Sequence, residues 1–452
     1  MRHARVLILL LALLVSPFPA ALAQSGTTGE PESARFDQLA RSFFEWRRVQ
    51  QPVSGDDIPR VERPDGWVPD WSPEAIEGYR AAYREYIRVL ERLDVEGWSV
   101  PRQVDARLLR AAMHRVPWEL DLLRAPHRNP LFYVQQTLGS VFELLLLSSP
   151  IDERRAENII LRFEQFPVTL KHARENLTEP VRPFAEATIE VLDGVDERLE
   201  QVETALDAHI PDELKRRFHS SISRATRSLE RYQKWLRSDL DEMRVSFAIG
   251  PDAYTWFLGN VALIPYTPNE LLAQGRQDWN RSVAWDVLEQ NRNRQQSELP
   301  LFRNMEQQIT VSDMKEKEIR AFLEAQDLMT VPDWLQHYRS RPMPDYLAPI
   351  AFLGVNDDLT SETRLDEDAY RYITEPSPDL PYFTLSAAKD PRPLIIHEGV
   401  PGHYYQLALS WKQPNPVRRR YIDSSVNEGI GFYVEEMLLQ AGLFDFSPKS
   451  RE

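Results

Sequence analysis

Two of the nine histidines stand at the ends of a short motif rich in glycine and proline. The motif runs His397-Glu398-Gly399-Val400-Pro401-Gly402-His403, so a carboxylate directly follows the first imidazole. Imidazoles and carboxylates are common zinc ligands in proteins, and a carboxylate beside a zinc ligand can act as a general base. The sequence therefore predicts that His397 and His403 bind one zinc ion, with Glu398 available for proton transfer.

The spacing of the two histidines conflicts with a regular helix. On an ideal helix six residues turn through about 600°, which leaves the rings about 120° apart. Pro401 has no N–H to bond to the carbonyl of His397, and Gly402 permits unusual backbone conformations. We expect a widened or broken turn that brings the ring nitrogens within about 5 Å of each other, as a shared zinc ion requires. In the alternative interpretation, Pro401 and Gly402 merely end a helix and the histidines share no ligand.

A catalytic zinc site needs a third protein ligand and one open position. The candidate is Glu428, which shares a face with Phe432 and Glu435 on a helix that begins near Pro416. Acids within an otherwise apolar stripe indicate that at least one of them serves a buried site. A second interpretation stays open, in which Glu428 closes a capping box with Ser425.

The remaining acids of the two motifs receive supporting roles. Glu398 is the candidate base that takes a proton from a metal-activated water. Glu435 is expected to orient one of the ligands from behind, although a solvated helix charge is an equal alternative. Gly429 and Gly431 weaken the helix but permit another chain segment to approach it closely.

The elements that must position these residues are mainly helical. Residues 34–330 carry apolar residues at three- and four-residue spacing, which predicts a large helical body around a cleft. Helix starts are indicated at Ser72-Pro73 and at the capping box from Thr267 to Glu270. Residues 331–452 then form the metal-site region of the same single domain.

Within this last region the amino-acid composition changes, because proline becomes frequent. Asp368 to Thr374 and Tyr382 to Ser386 are the best strand candidates, so a small strand insert is expected near residues 368–386. Two helical stretches follow, from about Leu394 to Trp411 and from Pro416 to Gln440.

The start of the chain is typical of an exported protein. Arg2 and Arg5 precede an apolar run, and Ala21-Leu22-Ala23 supplies small residues for cleavage, so residues 1–23 are predicted to be a signal peptide. An uncleaved anchor is the less favoured alternative. Residues 24–33 are expected to be a disordered lead-in. No stretch is long and apolar enough for a stable membrane span.

The amino-acid composition excludes some classes of binding partner and some types of metal ligand. The formal net charge is −15, which argues against nucleic acid as a partner. The chain has no cysteine, which excludes disulfides, thiolate ligands and a lipid anchor attached to cysteine. Any metal must therefore be held by histidine and carboxylate.

The two motifs resemble those of the bacterial domain-of-unknown-function 885 family, namely His-Glu-x-x-Pro-Gly-His and Glu-Gly-Trp-x-x-Tyr-x-Glu. The second stands here as Glu428-Gly429-Ile430-Gly431-Phe432-Tyr433-Val434-Glu435, with Ile430 in place of the tryptophan. Members of this family look like gluzincin-type zinc metallopeptidases. The resemblance implies that His397, His403 and Glu428 are the metal ligands, that Glu398 is the base, and that Tyr382 to Ser386 pairs with the substrate backbone.

The resemblance also implies further helices after the second motif, whereas this sequence ends soon afterwards. We therefore expect a C-terminally truncated relative with reduced activity. The leading hypothesis is zinc-dependent hydrolysis of short peptides, in the periplasm or outside the cell. The alternatives are a non-catalytic exported protein that binds a metal or a peptide, and a purely structural helical protein.

Overall fold

The computed structural model describes residues 32–55 and 61–452. The predicted signal peptide, residues 1–23, and the lead-in up to residue 31 lie outside the described residues. The first helix begins at Glu32, two residues before the predicted start of the helical body. The chain is mainly helical, as predicted, and carries one small sheet near its C-terminal region.

The helices of the described residues fall into two groups along the chain. The body contains α1 Glu32–Gln50, α2 Pro73–Glu91, α3 Val100–Pro117, α4 Ala125–Arg128, α5 Pro130–Val134, α6 Ser140–Leu146, α7 Glu153–Asn176, α8 Arg182–Val191, α9 Val195–Leu206, α10 Asp212–Asp239, α11 Pro251–Asn260, α12 Pro268–Asn293 and α13 Met305–Ala325. The C-terminal group contains α14 Tyr382–Ala387, α15 Arg392–Leu394, α16 His403–Trp411, α17 Pro416–Arg420 and α18 Ser424–Gln440. π-helical turns lie at Trp118–Leu122, Gln135–Gly139 and Ile395–Gly399.

Both of the predicted helix starts are confirmed. The Ser72 side chain accepts a hydrogen bond from the Ala75 amide at the beginning of α2. At the beginning of α12, Thr267 and Glu270 form the reciprocal capping box. These caps satisfy backbone N–H groups that have no partner inside the helix, which is why they could be recognised from local sequence.

Three short strands form the sheet, in the order β1-β3-β2. Strand β1 covers Tyr338–Pro342, β2 covers Asp357–Asp358 and β3 covers Ala369–Ile373. β3 pairs in parallel with β1 and antiparallel with β2, with Asp357 opposite Arg371. The strand predicted from Asp368 to Thr374 is therefore confirmed.

The strand predicted from Tyr382 to Ser386 is wrong, because these residues form helix α14. Pro381 precedes the helix, and its carbonyl accepts a hydrogen bond from the Leu385 amide. Tyr382 and Phe383 are 76% and 77% exposed, so the aromatic residues reflect no half-buried strand face. An edge for substrate pairing is consequently absent at this segment.

Two clusters of buried apolar side chains support the fold. The larger one packs the helices from α1 to α10 together and also takes up Leu347 and Ile350. The smaller one joins Ile319 and Leu323 of α13 to the sheet and to the C-terminal helices. Each cluster thus draws residues from both sides of position 330. The smaller cluster is the support beneath the histidine motif, because it contains Ile395, Ile396 and Val400.

Among the residues that the structure describes, no helix is long and apolar enough to cross a membrane.

Candidate metal centre

The histidine motif is split between two helical segments. His397 lies in the π-helical turn Ile395–Gly399, whereas His403 is the first residue of α16. Between them the chain leaves helical geometry at Val400 and passes through a cis peptide bond to Pro401. The predicted widened and broken turn is confirmed. It brings the ring centroids of the two histidines to 4.7 Å, with the ring planes at 81°.

Glycine is required at two positions of this turn because the chain approaches itself closely. A Cβ atom on Gly402 would lie 1.8 Å from the carbonyl oxygen of His397. A Cβ atom on Gly399 would lie 2.6 Å from the ring of Tyr338. Any larger residue would therefore push the two histidines apart or displace the sheet beneath them.

The second motif lies on α18, which begins later than predicted. The prediction of one continuous helix from Pro416 to Gln440 is wrong, because α17 and α18 are separated at residues 421–423. Asp423 caps α18 by accepting from the Ser425 amide, and Arg115 holds the Asp423 carboxylate at 2.6 Å. The alternative capping box between Ser425 and Glu428 is therefore overturned, and the Glu428 carboxylate is free to face the histidines.

Glu428 completes a set of three donors. Its Oε2 atom lies 3.6 Å from Nε2 of His397, and its Oε1 atom lies 3.7 Å from Nε2 of His403. The ligand atoms of the three residues all lie within 4.8 Å of one another. Donors about 2.0–2.1 Å from a tetrahedral zinc ion are separated by about 3.3 Å, so the donors would have to approach one another by about 1.5 Å at most to complete the coordination.

Glu435 fixes the orientation of the first histidine. Nδ1 of His397 donates to Oε1 of Glu435 at 2.5 Å, which leaves Nε2 with a free lone pair on the side of Glu428. Carboxylate support of a ligand imidazole is a recurrent feature of metal sites. The ring of Phe432 packs edge-on against the same imidazole, with centroids 5.5 Å apart. The His397 ring is thus held by one polar and one apolar neighbour.

Gly431 allows α18 to lie directly against this imidazole. A Cβ atom at this position would lie 2.7 Å from Cε1 of His397 and 2.9 Å from Nε2. Gly429, two residues earlier, has no atom within 4 Å of such a Cβ. The buried side of α18 is formed by Asn427, Gly431, Val434 and Leu438. Glu428 and Glu435 are more exposed than these four residues. The buried face of the helix therefore differs from the predicted one, which contained both acids.

The side chains on one side of the site are buried, whereas those on the other side are exposed to solvent. The side chain of His403 is 1% exposed and that of Glu398 is 13% exposed, whereas that of Glu428 is 52% exposed. Burial raises the pKa of Glu398 despite the lowering effect of Arg371. For His397, burial lowers the pKa, but the hydrogen bond to Glu435 and nearby carboxylates raise it overall.

The charge balance favours a divalent cation. With neutral imidazoles, the residues in and behind the site carry four carboxylates and a single guanidinium, from Asp357, Glu398, Glu428, Glu435 and Arg371. Oε2 of Glu398 is buried without a hydrogen-bond partner in the described part of the chain. An unpaired buried acceptor is costly in the interior. The nitrogen and oxygen donors and the surplus negative charge fit a divalent cation such as zinc.

Sequence reasoning missed three residues behind Glu398, namely Tyr338, Asp357 and Arg371. The Tyr338 hydroxyl donates to Oδ1 of Asp357 at 2.5 Å, and Nη1 of Arg371 donates to Oδ2 at 2.6 Å. The same Nη1 atom lies 3.5 Å from Oε1 of Glu398. One signal was available, because Arg371 stands in the middle of a predicted strand, where a buried charge needs a partner.

Residues 53–452 match the family described as bacterial protein of unknown function (DUF885). The chain belongs to this family. The match includes both motifs of the candidate metal centre, which agrees with the resemblance found in the sequence. No curated protein matches this member of DUF885.

Two solved structures share the fold of this DUF885 chain. A candidate lipoprotein from Colwellia psychrerythraea aligns with a TM-score of 0.67 and 14% identity, over 93% of this chain and 80% of that one. A candidate lipoprotein of unknown function from Shewanella oneidensis aligns with a TM-score of 0.60 and 17% identity, over 93% of this chain and 78% of that one. At these identities the likeness shows the fold alone.

Substitution of Gly431 by alanine should impair metal binding without unfolding the helix. The added methyl group would press on the ring atoms of His397, including the nitrogen that faces Glu428. We expect zinc affinity to fall by about tenfold or more, as for a displaced ligand. Isothermal titration with zinc measures this change.

The matched control is Gly429→Ala, where the methyl group meets open space. This variant should keep the wild-type zinc affinity and gain about 0.5–1 kcal/mol of unfolding free energy, because alanine favours the helix. Equal zinc affinities for the two alanine variants would contradict the packing of α18 against His397.

Replacement of Glu435 by glutamine should weaken zinc binding by about 10–100-fold, because the neutral amide supports the His397 imidazole less strongly. Glu436→Gln is the control, since Glu436 pairs with Arg281 on the outside of α18 and faces away from the ligands. Competition with a coloured chelator gives both affinities. A loss of the same size in both variants would show that only the overall charge of the helix matters.

Proposed function

We propose that this protein is a zinc-dependent peptidase that hydrolyses short peptides. The observation that carries the proposal is that the Nε2 atoms of His397 and His403 each lie 3.6–3.7 Å from an oxygen of the Glu428 carboxylate. Nearby, Glu398 has a buried oxygen without a hydrogen-bond partner among the described residues. Three protein donors leave one coordination position open, which is the arrangement of catalytic rather than structural zinc sites.

Each residue of the site has a separate role in the proposed reaction. His397, His403 and Glu428 would hold the ion, the imidazoles through Nε2, and Glu435 fixes the tautomer of His397. A bound zinc ion supplies Lewis acidity, which lowers the pKa of a coordinated water and polarises the scissile carbonyl. Oε2 of Glu398 accepts the proton that the attacking water loses and can return it to the leaving amine. Burial raises the pKa of Glu398, which suits a group that must both take up and release a proton.

The centre is accessible to a substrate on the side of Glu428. Glu428 is half exposed, whereas His403 is fully buried, so a substrate must enter from the side of α18. Phe432 is 66% exposed beside His397 and offers an apolar contact for a substrate side chain next to the scissile bond.

Export supports a function outside the cytoplasm. The first residues are typical of a signal peptide, and the two solved structures named above are described as candidate lipoproteins. We therefore place the activity in the periplasm or outside the cell.

The test is metal analysis of the purified chain combined with a peptide-cleavage screen. About one zinc ion per chain is expected, together with cleavage that a chelator abolishes and added zinc restores. One zinc ion per chain without turnover across a broad peptide library would instead support a non-catalytic metal- or peptide-binding protein. The absence of zinc binding at micromolar concentrations would overturn both.

A further inference from the structure

A layer of side chains from the small sheet lies directly behind the candidate base. Each strand contributes one residue, with Tyr338 on β1, Asp357 on β2 and Arg371 on β3. All three are buried or nearly so, since Tyr338 is 2% and Asp357 6% exposed and the Arg371 side chain is 18% exposed. The Glu398 carboxylate lies in front of this layer, with Oε1 3.5 Å from Nη1 of Arg371.

Contacts within the layer fix the guanidinium firmly. Asp357 accepts from the Tyr338 hydroxyl with one oxygen and from Nη1 of Arg371 with the other. Asp357 and Arg371 are also directly opposite each other in the antiparallel pairing of β2 and β3. Because a buried guanidinium is costly without a carboxylate partner, this pair determines where Arg371 lies.

The two oxygens of Glu398 have different surroundings. Oε1 lies 3.5 Å from Nη1 of Arg371, whereas Oε2 is buried and has no hydrogen-bond partner among the described residues. The ion pair at Oε1 favours this orientation of the carboxylate, in which Oε2 stays unpaired. The Glu398 carboxylate has His397 and Glu428 among its electrostatic neighbours, so it lies close to the candidate metal centre.

We propose that Arg371 is a positioning residue, which holds Oε1 of Glu398 so that Oε2 remains free for proton transfer, and that Asp357 and Tyr338 hold Arg371 in place. This inference rests on the proposed function. It gives the strand insert a role in aligning the base instead of the substrate-pairing role first expected for this region. Among the described residues, Arg371 forms ion pairs with Asp357 and Glu398, so we assign its effect on the site to Glu398.

The main variant is Arg371→Met, which keeps the length of the side chain and removes the charge. We expect normal zinc content, a kcat reduced by about a hundredfold and a KM within about twofold of wild type, because misplacement of a catalytic group by about 1 Å has an effect of this size. Arg371→Lys should recover part of kcat. The control is Arg339→Met on β1, whose half-exposed side chain pairs with Asp313 outside the site.

Loss of stability must be separated from loss of alignment, because Arg371→Met leaves Asp357 buried without its cationic partner. The double variant Asp357→Asn with Arg371→Met removes that orphaned charge. It should regain the thermal stability lost by the single variant while its kcat stays low. Recovery of kcat together with stability would overturn the positioning role and make Arg371 a structural partner of Asp357.

A crystal structure of Arg371→Met decides the question independently of turnover. We expect the Glu398 carboxylate to rotate away from its wild-type position. An unchanged Glu398 in that crystal structure would overturn the inference even in an active enzyme. Wild-type protein that binds zinc but cleaves no peptide would sink the proposed function alone, since the position of Glu398 can still be compared.

Discussion

Substitution of Glu398 by glutamine should lower kcat for peptide cleavage by about 10²–10⁴-fold while zinc stays bound. Glutamine keeps the shape of the side chain but has no carboxylate oxygen that can accept the proton. General acid–base catalysis contributes rate factors of this size. The metal ligands are other residues, so the zinc content should remain that of wild type. Steady-state kinetics and metal analysis on the same preparation measure both quantities.

Two comparisons make this result specific. Glu318→Gln removes an exposed acid on α13, paired with Lys315, and should leave kcat unchanged. Glu398→Gln should also retain the wild-type thermal stability or exceed it, because burial of the carboxylate already disfavours its charged form. Turnover within about threefold of wild type would show that another group accepts the proton, and the assignment of Glu398 would then be wrong.

Replacement of His403 by alanine should abolish tight zinc binding. His403 is 1% exposed and supplies one of three donors, so its loss leaves two ligands on the more exposed side of the site. We expect zinc affinity to fall by more than about a hundredfold, beyond the effect of changing a residue behind the ligands. Titration with zinc gives the affinity, and peptide cleavage should be lost in parallel.

The linkage between binding and folding gives a second measurement for the same variant. A ligand that binds only the folded state stabilises it by about 2.7 kcal/mol at a hundredfold excess over Kd. Added zinc should therefore raise the melting temperature of wild type and of the surface control His219→Ala, but not that of His403→Ala. The zinc-induced shift is measured from the metal-free melting temperature of each variant, so the stability lost through the cavity in His403→Ala does not enter the comparison. An undiminished zinc-induced shift in His403→Ala would overturn the ligand assignment.

Helix positions and caps could be predicted because their causes are local. Ser72 and Thr267 satisfy amide groups within three residues of their own position, and apolar spacing records which face of a helix is buried. The break between His397 and His403 could be predicted for the same reason, since Pro401 lacks the N–H that a regular helix needs.

Errors arose where a distant contact overrode local pattern. The aromatic residues of Tyr382 to Ser386 favoured a strand, but no neighbouring strand pairs with them and the segment closes as a short helix after Pro381. The predicted helix across residues 421–423 is interrupted because Arg115, more than 300 positions earlier, holds the Asp423 carboxylate that caps α18. Local propensity is weak compared with a buried ion pair of this kind.

The sequence by itself determined the chemical types at the centre, because two imidazoles and three carboxylates in two short motifs offer nitrogen and oxygen donors for a metal ion. It also determined the broken turn between the histidines. Only the tertiary structure decided that Glu428 faces both imidazoles, that Gly431 admits the His397 ring and that Arg371 lies behind Glu398. Those relations join segments far apart in the chain, and they depend on which helices and strands pack together, which local spacing does not encode.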